Sequence, residues 1–500
     1  APTIQAEQGL VTGQIPLTPI QHWFFEQNFA NPHHCNQEIL LEVQSALDPK
    51  LLQEALQQLL RHHDALRLNF VEEDSGWQQI NASPEAIVPF MHFDLSGVSA
   101  DEQNSAIAAT TAELHSSLNL ETGPLLKVAF FDGGTEGGTR LLLVIHYLVA
   151  DSVSWKILLE DLQIAYQQLS QGKTIQFLPK TTSFRQWSER LQAYAKSAKL
   201  SSELDYWLSL LQKPSSGLPV DHPENINSEV SIRTVSVALT TQETQSLLDE
   251  IPTAYRTETE EVLLTALLQT LTNWSGKRSL LVNLEKQGRT GIDDTDIDLS
   301  RTIGQFTTVF PVKLELKKES SQGETLKAIK EQLRSVPNQG LSYGVLRYLC
   351  KDKEIAEQLQ ALQPEVSFYY LGELAQTSPE SSIPPQLAEG ETSQEQSLFL
   401  NSAQELSISI GSSQTTQPYL LEISGYVTRK QLQVNWRYNE NLYDSSTVKD
   451  LLQQFITELR SLISHCQSPN TESYTPSDFS ATKMSQKDLS KLLSQIKKSH

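Results

Sequence analysis

Apolar and polar positions along the chain fall into short strand-like runs separated by helical repeats. The clearest stretch runs from Arg140 to Leu169, RLLLVIHYLVADSVSWKILLEDLQIAYQQL. Leu141 to Ile145 is a short apolar, partly β-branched run with polar flanks, the pattern of a buried strand. Leu158, Leu162, Ala165 and Leu169 then recur at spacings of four, three and four, one face of a helix for which Asp151, Ser152 and Ser154 offer capping oxygens. Between the two lies HYLVADS, which places His146, Tyr147 and Asp151 in a loop held by rigid elements. On pattern alone, a single histidine beside an apolar strand is more often a core residue with a satisfied ring than a catalyst.

The same reading extends along the chain. Ile20, Trp23 and Phe24 share a face in a first helix, EILLEV is a strand, and Asp48-Pro49 starts a helix through Leu52, Leu56, Leu59 and Leu60. Leu66 to Phe70 alternates as a strand, Ala106 to Leu118 is helical, and Gly123 to Asp132 forms a hairpin with the Arg140 strand through a Gly-rich turn. A polar linker, Ser170 to Phe184, marks a lobe boundary at 178/179, after which Phe184 to Leu211 reads as one helical segment. Beyond it come an alternating strand over Val230 to Leu239, helices over 240–251 and 257–274, a strand at Leu280 to Glu285 followed by KQGRTG, and the strand FTTVFPVKLEL. Ser378 to Gln396, rich in Pro and Ser, is expected to be a mobile loop. Two alternating strands and an amphipathic helix from Ser445 to His465 complete a second lobe over 179–470, and 471–500 reads as a linker tail.

Length and charge narrow the options. Five hundred residues exceed one ordinary core and predict two lobes of α/β type. A net charge of −21 disfavours nucleic acid as a partner. No apolar run is long enough for a membrane span, and the N-terminus lacks a basic start and an apolar core, so a cytoplasmic location is expected, with no membrane partner. Cys35, Cys350 and Cys466 are odd in number and far apart, which gives neither a disulfide framework nor a metal-ligand spacing. The adjacent pairs His33-His34 and His62-His63 are expected to diverge, so no metal site is predicted.

Taken in order, HYLVADSVSW (His146 to Trp155), NLEKQGR (Asn283 to Arg289), IGQFTTVFPV, PNQGLSYG and FYYLGEL resemble the motif series of epimerization domains of nonribosomal peptide synthetases, within the condensation-domain superfamily. PLTPIQHWFFEQ and YNENLY extend the resemblance over nearly the whole chain. It implies two chloramphenicol-acetyltransferase-like α/β sandwich lobes in a V, with a central tunnel for a phosphopantetheine arm. The implied partners are a peptidyl carrier protein and the adjacent synthetase domains. The chain would need no cofactor of its own, because its substrate arrives on the 4'-phosphopantetheine of the carrier.

The implied reaction is L to D inversion at the α-carbon of a carrier-bound aminoacyl or peptidyl thioester. That chemistry needs a base for the α-proton, a group to steady the enolate oxygen, and a proton source on the opposite face. Carried over, Glu285 matches the Glu of EGHGR, Arg289 its Arg, Asp151 the Asp of HHxxxDG, and Tyr370 the Tyr of FNYLG. The chain departs from the pattern at three places: Tyr147 replaces the second His of HHxxxDG, Ser152 its Gly, and Gln287 the His of EGHGR. The residues expected to do chemistry are thus Glu285 as base, with Tyr147 or Tyr370 as the opposite-face acid, because a phenol of ordinary pKa about 10 is a poor base but a competent donor. His146, Asp151 and Arg289 are expected in support, the last two as a buried ion pair. Two other functions remain open: a catalytically silent domain that docks a carrier protein and recruits or positions a partner enzyme, and amide-bond formation.

Overall fold

The computed structural model describes residues 5–43, 47–84, 89–134, 138–212, 217–225, 231–289, 292, 297–317, 320–373, 399–402, 407–409, 419–467 and 474–479. In chain order the strands are β1 (Gly13–Ile15), β2 (Asn36–Val43), β3 (Leu68–Glu73), β4 (Gly76–Asn81), β5 (Phe90–Asp94), β6 (Leu126–Asp132) and β7 (Thr139–His146). They continue with β8 (Ile232–Ala238), β9 (Ser279–Lys286), β10 (Thr308–Glu315), β11 (Val366–Glu373), β12 (Phe399–Ser402), β13 (Ser407–Ser409), β14 (Leu421–Thr428) and β15 (Gln431–Asn439).

The chain divides into two compact units, and neither is contiguous. The first comprises Ala1–Ser197, Gln287–Thr307 and Leu374–Thr416; the second comprises Ala198–Lys286, Thr308–Glu373 and Gln417–His500. The single cut expected at 178/179 is therefore replaced by a first crossing at 197/198, where the expected long helix is interrupted between Phe184–Tyr194 and Ala198–Ser209. The polar linker before it stays with the first unit for a physical reason. Thr182 N donates to Asp298 O at 2.8 Å and the Lys180 ammonium pairs with Asp64 at 3.0 Å, so its backbone and charge are both satisfied there.

In the first unit, β12-β2-β7-β6-β5 form one sheet, with β13 also on β2, beside a small sheet β1-β4-β3. β2, β7 and β6 pair antiparallel, β5 joins β6 in parallel, and β7 is buried on both faces from Leu141 to His146. One face packs Leu40, Leu142, Val144, Ala129 and Phe131 against Ile107, Leu114 and Leu118. The helix that carries Ile107 and Leu114 and is followed by Leu118 spans Ala100–Ser117 and starts six residues before the periodicity begins, because Ser99 and Glu102 form a capping box at its N-terminus.

In the second unit the sheet order is β10-β9-β11-β14-β15-β8. Its registered rows alternate strictly. Leu284, Phe368, Ile423, Trp436 and Val235 lie on one face, which the helices Thr259–Ser275 and Ser445–Cys466 cover, and Glu285, Tyr369, Ser424, Asn435 and Ser236 lie on the other. Gly340, at φ +88°, sits where any Cβ would enter the Phe310 ring, which explains the glycine in PNQGLSYG.

Part of the expected tail is a packed piece of this unit. The fully buried Lys330 ammonium reaches Asp478 at 2.7 and 2.9 Å and the Tyr255 carbonyl at 2.8 Å. The Pro- and Ser-rich stretch 378–396 and the rest of the tail, 471–473 and 480–500, lie outside the described residues.

Candidate active site

At the end of β7 the chain turns through a 3-10 segment, Tyr147–Val149, into the helix Ser152–Ser170. His146 is the turn's support. Its Nε2 donates to the Pro32 carbonyl at 2.8 Å while Nδ1 accepts from Leu148 N at 3.1 Å, an arrangement that requires the neutral Nε2–H tautomer. Burial pushes this imidazole down to about 4, so it stays neutral and both ring nitrogens are spent on backbone.

Tyr147 is 4% exposed and stacks on Phe24 with ring centroids 5.8 Å apart. Its backbone is clamped on both sides: the N–H donates to Cys35 O at 2.8 Å and the carbonyl accepts from Gln305 Nε2 at 3.0 Å. Gln37 adds a bond to the Ala150 carbonyl at 2.8 Å and is itself held by Trp155 Nε1 at 2.6 Å. Gln37 and Gln305 thus fix the loop, a role that a glutamine in a sequence does not announce.

Asp151 caps the following helix, accepting from Ser154 N at 2.8 Å and Ser154 Oγ at 2.7 Å. Arg289 approaches it as a fork, Nη2 to Oδ1 at 2.6 Å and Nε to Oδ2 at 2.9 Å. Its remaining donors reach Leu299 O and Thr302 O at 2.7 Å each and Ser154 Oγ at 3.0 Å, and the guanidinium lies 4.3 Å from the Phe306 ring centroid. Every guanidinium N–H is used inside the first unit, so Arg289 holds the loop and has none left for a substrate. Gly304 completes the clasp: its carbonyl accepts from Asp151 N at 3.1 Å, and a Cβ there would meet the Phe184 ring at 2.4 Å. Two of the three motif departures meet beside this clasp, Gln287 Nε2 reaching Ser152 Oγ at 3.3 Å.

Glu285 stands near the end of β9, on the polar face of the second sheet and partly open to solvent. Dense surroundings push its carboxyl up to about 7, with the charge of Glu422 adding to the effect of burial. Asn283 lies on the same face, and its amide donates to the Tyr419 hydroxyl. Glu422, in the next registered row, pairs with Arg437 at 2.9 Å.

Lys286, one residue on, faces the helices and pairs with Glu260 at 2.5 Å. Tyr370 faces them too. It partners Gly425 in register, where a Cβ would touch both Tyr370 and Leu263 of the covering helix, and it hydrogen-bonds Thr259. The sheet therefore brings Glu285 beside Tyr369 and separates it from Tyr370. Asn283, Tyr419 and Glu422 are the companions that sequence reasoning missed, although strand alternation placed Asn283 on the face of Glu285.

His62 and His63 do not diverge as expected. His62 ends its helix and His63 turns off it at φ −94°, ψ 99°, which leaves the two rings 4.8 Å apart. With Asp161 they form the one cluster of metal-ligating type among the described residues. Asp161 receives His63 Nε2 on one oxygen at 2.7 Å and Arg301 Nη2 on the other at 2.5 Å, so both oxygens of its carboxylate are already engaged in ion-pair hydrogen bonds.

The condensation-domain family model matches residues 11–485. The chain is 40% identical over 489 residues to a linear gramicidin synthase of Brevibacillus parabrevis, covering 98% of this chain and 9% of that protein. It is 35% identical over 485 residues to gramicidin S synthase 1 of Brevibacillus brevis, covering 95% of this chain and 42% of that protein. The chain thus spans under half the length of either relative. Among solved structures, the epimerization domain from the third module of tyrocidine synthetase B is similar at 34% identity and TM-score 0.79, covering 93% of this chain and 99% of that one. SgcC5 from Streptomyces globisporus shares the fold at TM-score 0.67 and 15% identity, over 90% of this chain and 99% of that one. With the family model spanning both units and a likeness of this extent to a solved epimerization domain, the chain belongs to the condensation-domain family of nonribosomal peptide synthetases.

Proposed function

We propose that the chain inverts the α-carbon of an aminoacyl or peptidyl thioester carried on the 4'-phosphopantetheine of a peptidyl carrier protein, with Glu285 as the base. The observation that carries this reading is the setting of Glu285: a carboxyl on a polar, partly open sheet face, lifted to about 7 by burial and by Glu422. A base of that strength is half-charged near neutral pH, so it takes a proton and also returns one. The α-proton moves to Glu285 Oε, the electron pair shifts toward the thioester oxygen, and reprotonation of the α-carbon from the other side gives the D-centre. Tyr147, at the place of the family's second His, is assigned as the proton donor of that second step. Tyr370 is given no proton-transfer role, since Thr259 anchors it on the helix-covered side. His146, Asp151 and Arg289 act through the loop they hold.

Position 147 also motivates a second reading, a silent domain that docks a carrier and positions a partner enzyme. There the Tyr147 ring is simply core packing against Phe24. The experiment that separates the two uses a carrier protein loaded with L-aminoacyl phosphopantetheine in deuterated water, followed for α-deuterium uptake and for chirality at the thioester. Uptake with inversion supports epimerization. Carrier retention with no uptake favours the silent domain, and amide product from a second, acceptor-loaded carrier would favour condensation. Adjacent synthetase domains and a cytoplasmic setting accompany the proposal; among the described residues no helix is long and apolar enough to cross a membrane.

A further inference from the structure

The polar face of the second sheet holds more machinery than the base alone. Asn283 and Glu285 are alternate residues of β9 and share this face. Ser367 lies beside Asn283 in β11 and Glu422 lies beside Ser367 in β14, so one small side chain separates the Asn283 position from the Glu422 carboxylate. Strands are spaced at about 4.8 Å, which brings Glu422 laterally within about 10 Å of β9 before either long side chain extends. Arg437, the registered partner of Glu422 on β15, holds the carboxylate from its far side at 2.9 Å. Tyr419 fills the near side, its hydroxyl accepting from Asn283.

We propose that Glu422 is a positioning residue whose negative charge, fixed on this face by Arg437, controls how tightly Glu285 holds its proton. The inference rests on the reading of Glu285 as the base and adds the residue that tunes it. A like charge nearby disfavours ionisation of Glu285; burial pushes the Glu422 carboxyl itself up, and Arg437, standing beyond it, pulls it back toward the charged form. Burial and the charge of Glu422 act on Glu285 in the same direction. Tyr419 does not compete, because burial and both carboxylates push its phenol upward and keep it neutral. Among the described residues, the ionisable groups on this face besides Glu285 include Lys313 on β10, four residues along from the partner of Glu285, with Glu315 3.4 Å from it, Tyr369 on β11, Glu422 and Tyr426 on β14 and Arg437 on β15, together with Tyr419 and the Tyr343 that acts on it. Lys286 is turned away toward Glu260.

The test is a carbon-13 NMR titration of the whole chain with carboxyl-labelled glutamate, the Glu285 resonance being assigned by its loss in Glu285→Gln. In Glu422→Gln the midpoint of Glu285 is expected to fall by about 0.5–1 pH unit, with the acid limb of α-proton exchange moving by the same amount. Glu422→Asp withdraws the charge by one methylene and is expected to give a smaller shift in the same direction, which keeps the test decisive where the glutamine variant does not fold. A midpoint that stays put or rises in these variants overturns the inference. Exchange that survives in Glu285→Gln overturns instead the reading of Glu285 as the base, and the titration still decides whether Glu422 governs it.

Discussion

The two large sheets treat their faces in opposite ways. In the first unit β7 is buried on both sides, and its chemistry-bearing residues sit in the turn beyond its end, where His146, Gln37, Gln305, Asp151 and Arg289 spend their polar atoms on one another and on backbone. In the second unit the sheet buries one face under helices and leaves a polar face on which Glu285 stands with little to neutralise it. The first arrangement is saturated, so removing a member leaves a buried charge or donor without its partner. The second is under-compensated, so its carboxyl is costly to keep ionised. One region holds a loop still, and the other carries the carboxyl proposed to move a proton.

The largest expected effect breaks the saturated side. Arg289→Ala leaves Asp151 buried without its counter-ion and is expected to cost about 3–5 kcal/mol, read by urea unfolding followed by circular dichroism. Arg289→Lys should recover only part, since an ammonium cannot make the two-pronged contact to Asp151 while also reaching Leu299 and Thr302. Next comes Gly304→Ala, whose methyl collides with Phe184; a loss of about 1–3 kcal/mol is expected in the same assay.

The opposite outcome is expected on the under-compensated side. Because the folded pKa of Glu285 lies above its ordinary value, the folded chain holds a proton that the unfolded chain has released between about 4.5 and 7. Stability therefore falls as pH rises through that window. Glu285→Gln removes this penalty, so at pH 8 the variant is expected to be more stable than wild type by on the order of 1–2 kcal/mol, with the gain absent at pH 4. A variant that gains stability and loses exchange would sharpen the contrast; one destabilised at both pH values would erase it. The smallest stability effect is expected at Tyr147→Phe, under about 1 kcal/mol by thermal melting, because the ring and its stacking on Phe24 remain. Exchange in that variant should drop by about 100-fold if the phenol is the donor.

The legibility of these regions in the sequence follows the same division. The β7 strand and the helix after it were plain from periodicity, since a strand buried on both faces is an unbroken apolar run, while Asp151 was one of three residues offered for the cap that it fills. The alternation of β14 and β15 was equally plain, since one face is wet. What could not be read were relations between distant segments. Gln37 and Gln305 have the same composition signal as any surface glutamine, Glu422 is an ordinary residue until register sets it two strands from Asn283, and Tyr419 until its hydroxyl meets the Asn283 amide. The discontinuous units escaped for a related reason: Arg289, Gly304 and Gln305 join the first unit through contacts with the 147–154 segment, and β12 and β13 through pairing with β2, none of which carries a local pattern. Tyr370 shows the cost of a resemblance without register, because its neighbour Tyr369 is the residue that faces Glu285.

The measurement that bears most directly on the central claim is the pH dependence of α-deuterium uptake by a carrier-bound L-aminoacyl thioester, with wild type and Glu285→Gln side by side. The account expects uptake with inversion in the wild type, rising with pH to a plateau above an acid limb near 7, and a loss of about 100-fold or more in the variant. Uptake that is unchanged in Glu285→Gln, or that shows no acid limb between pH 5 and 8, would contradict it.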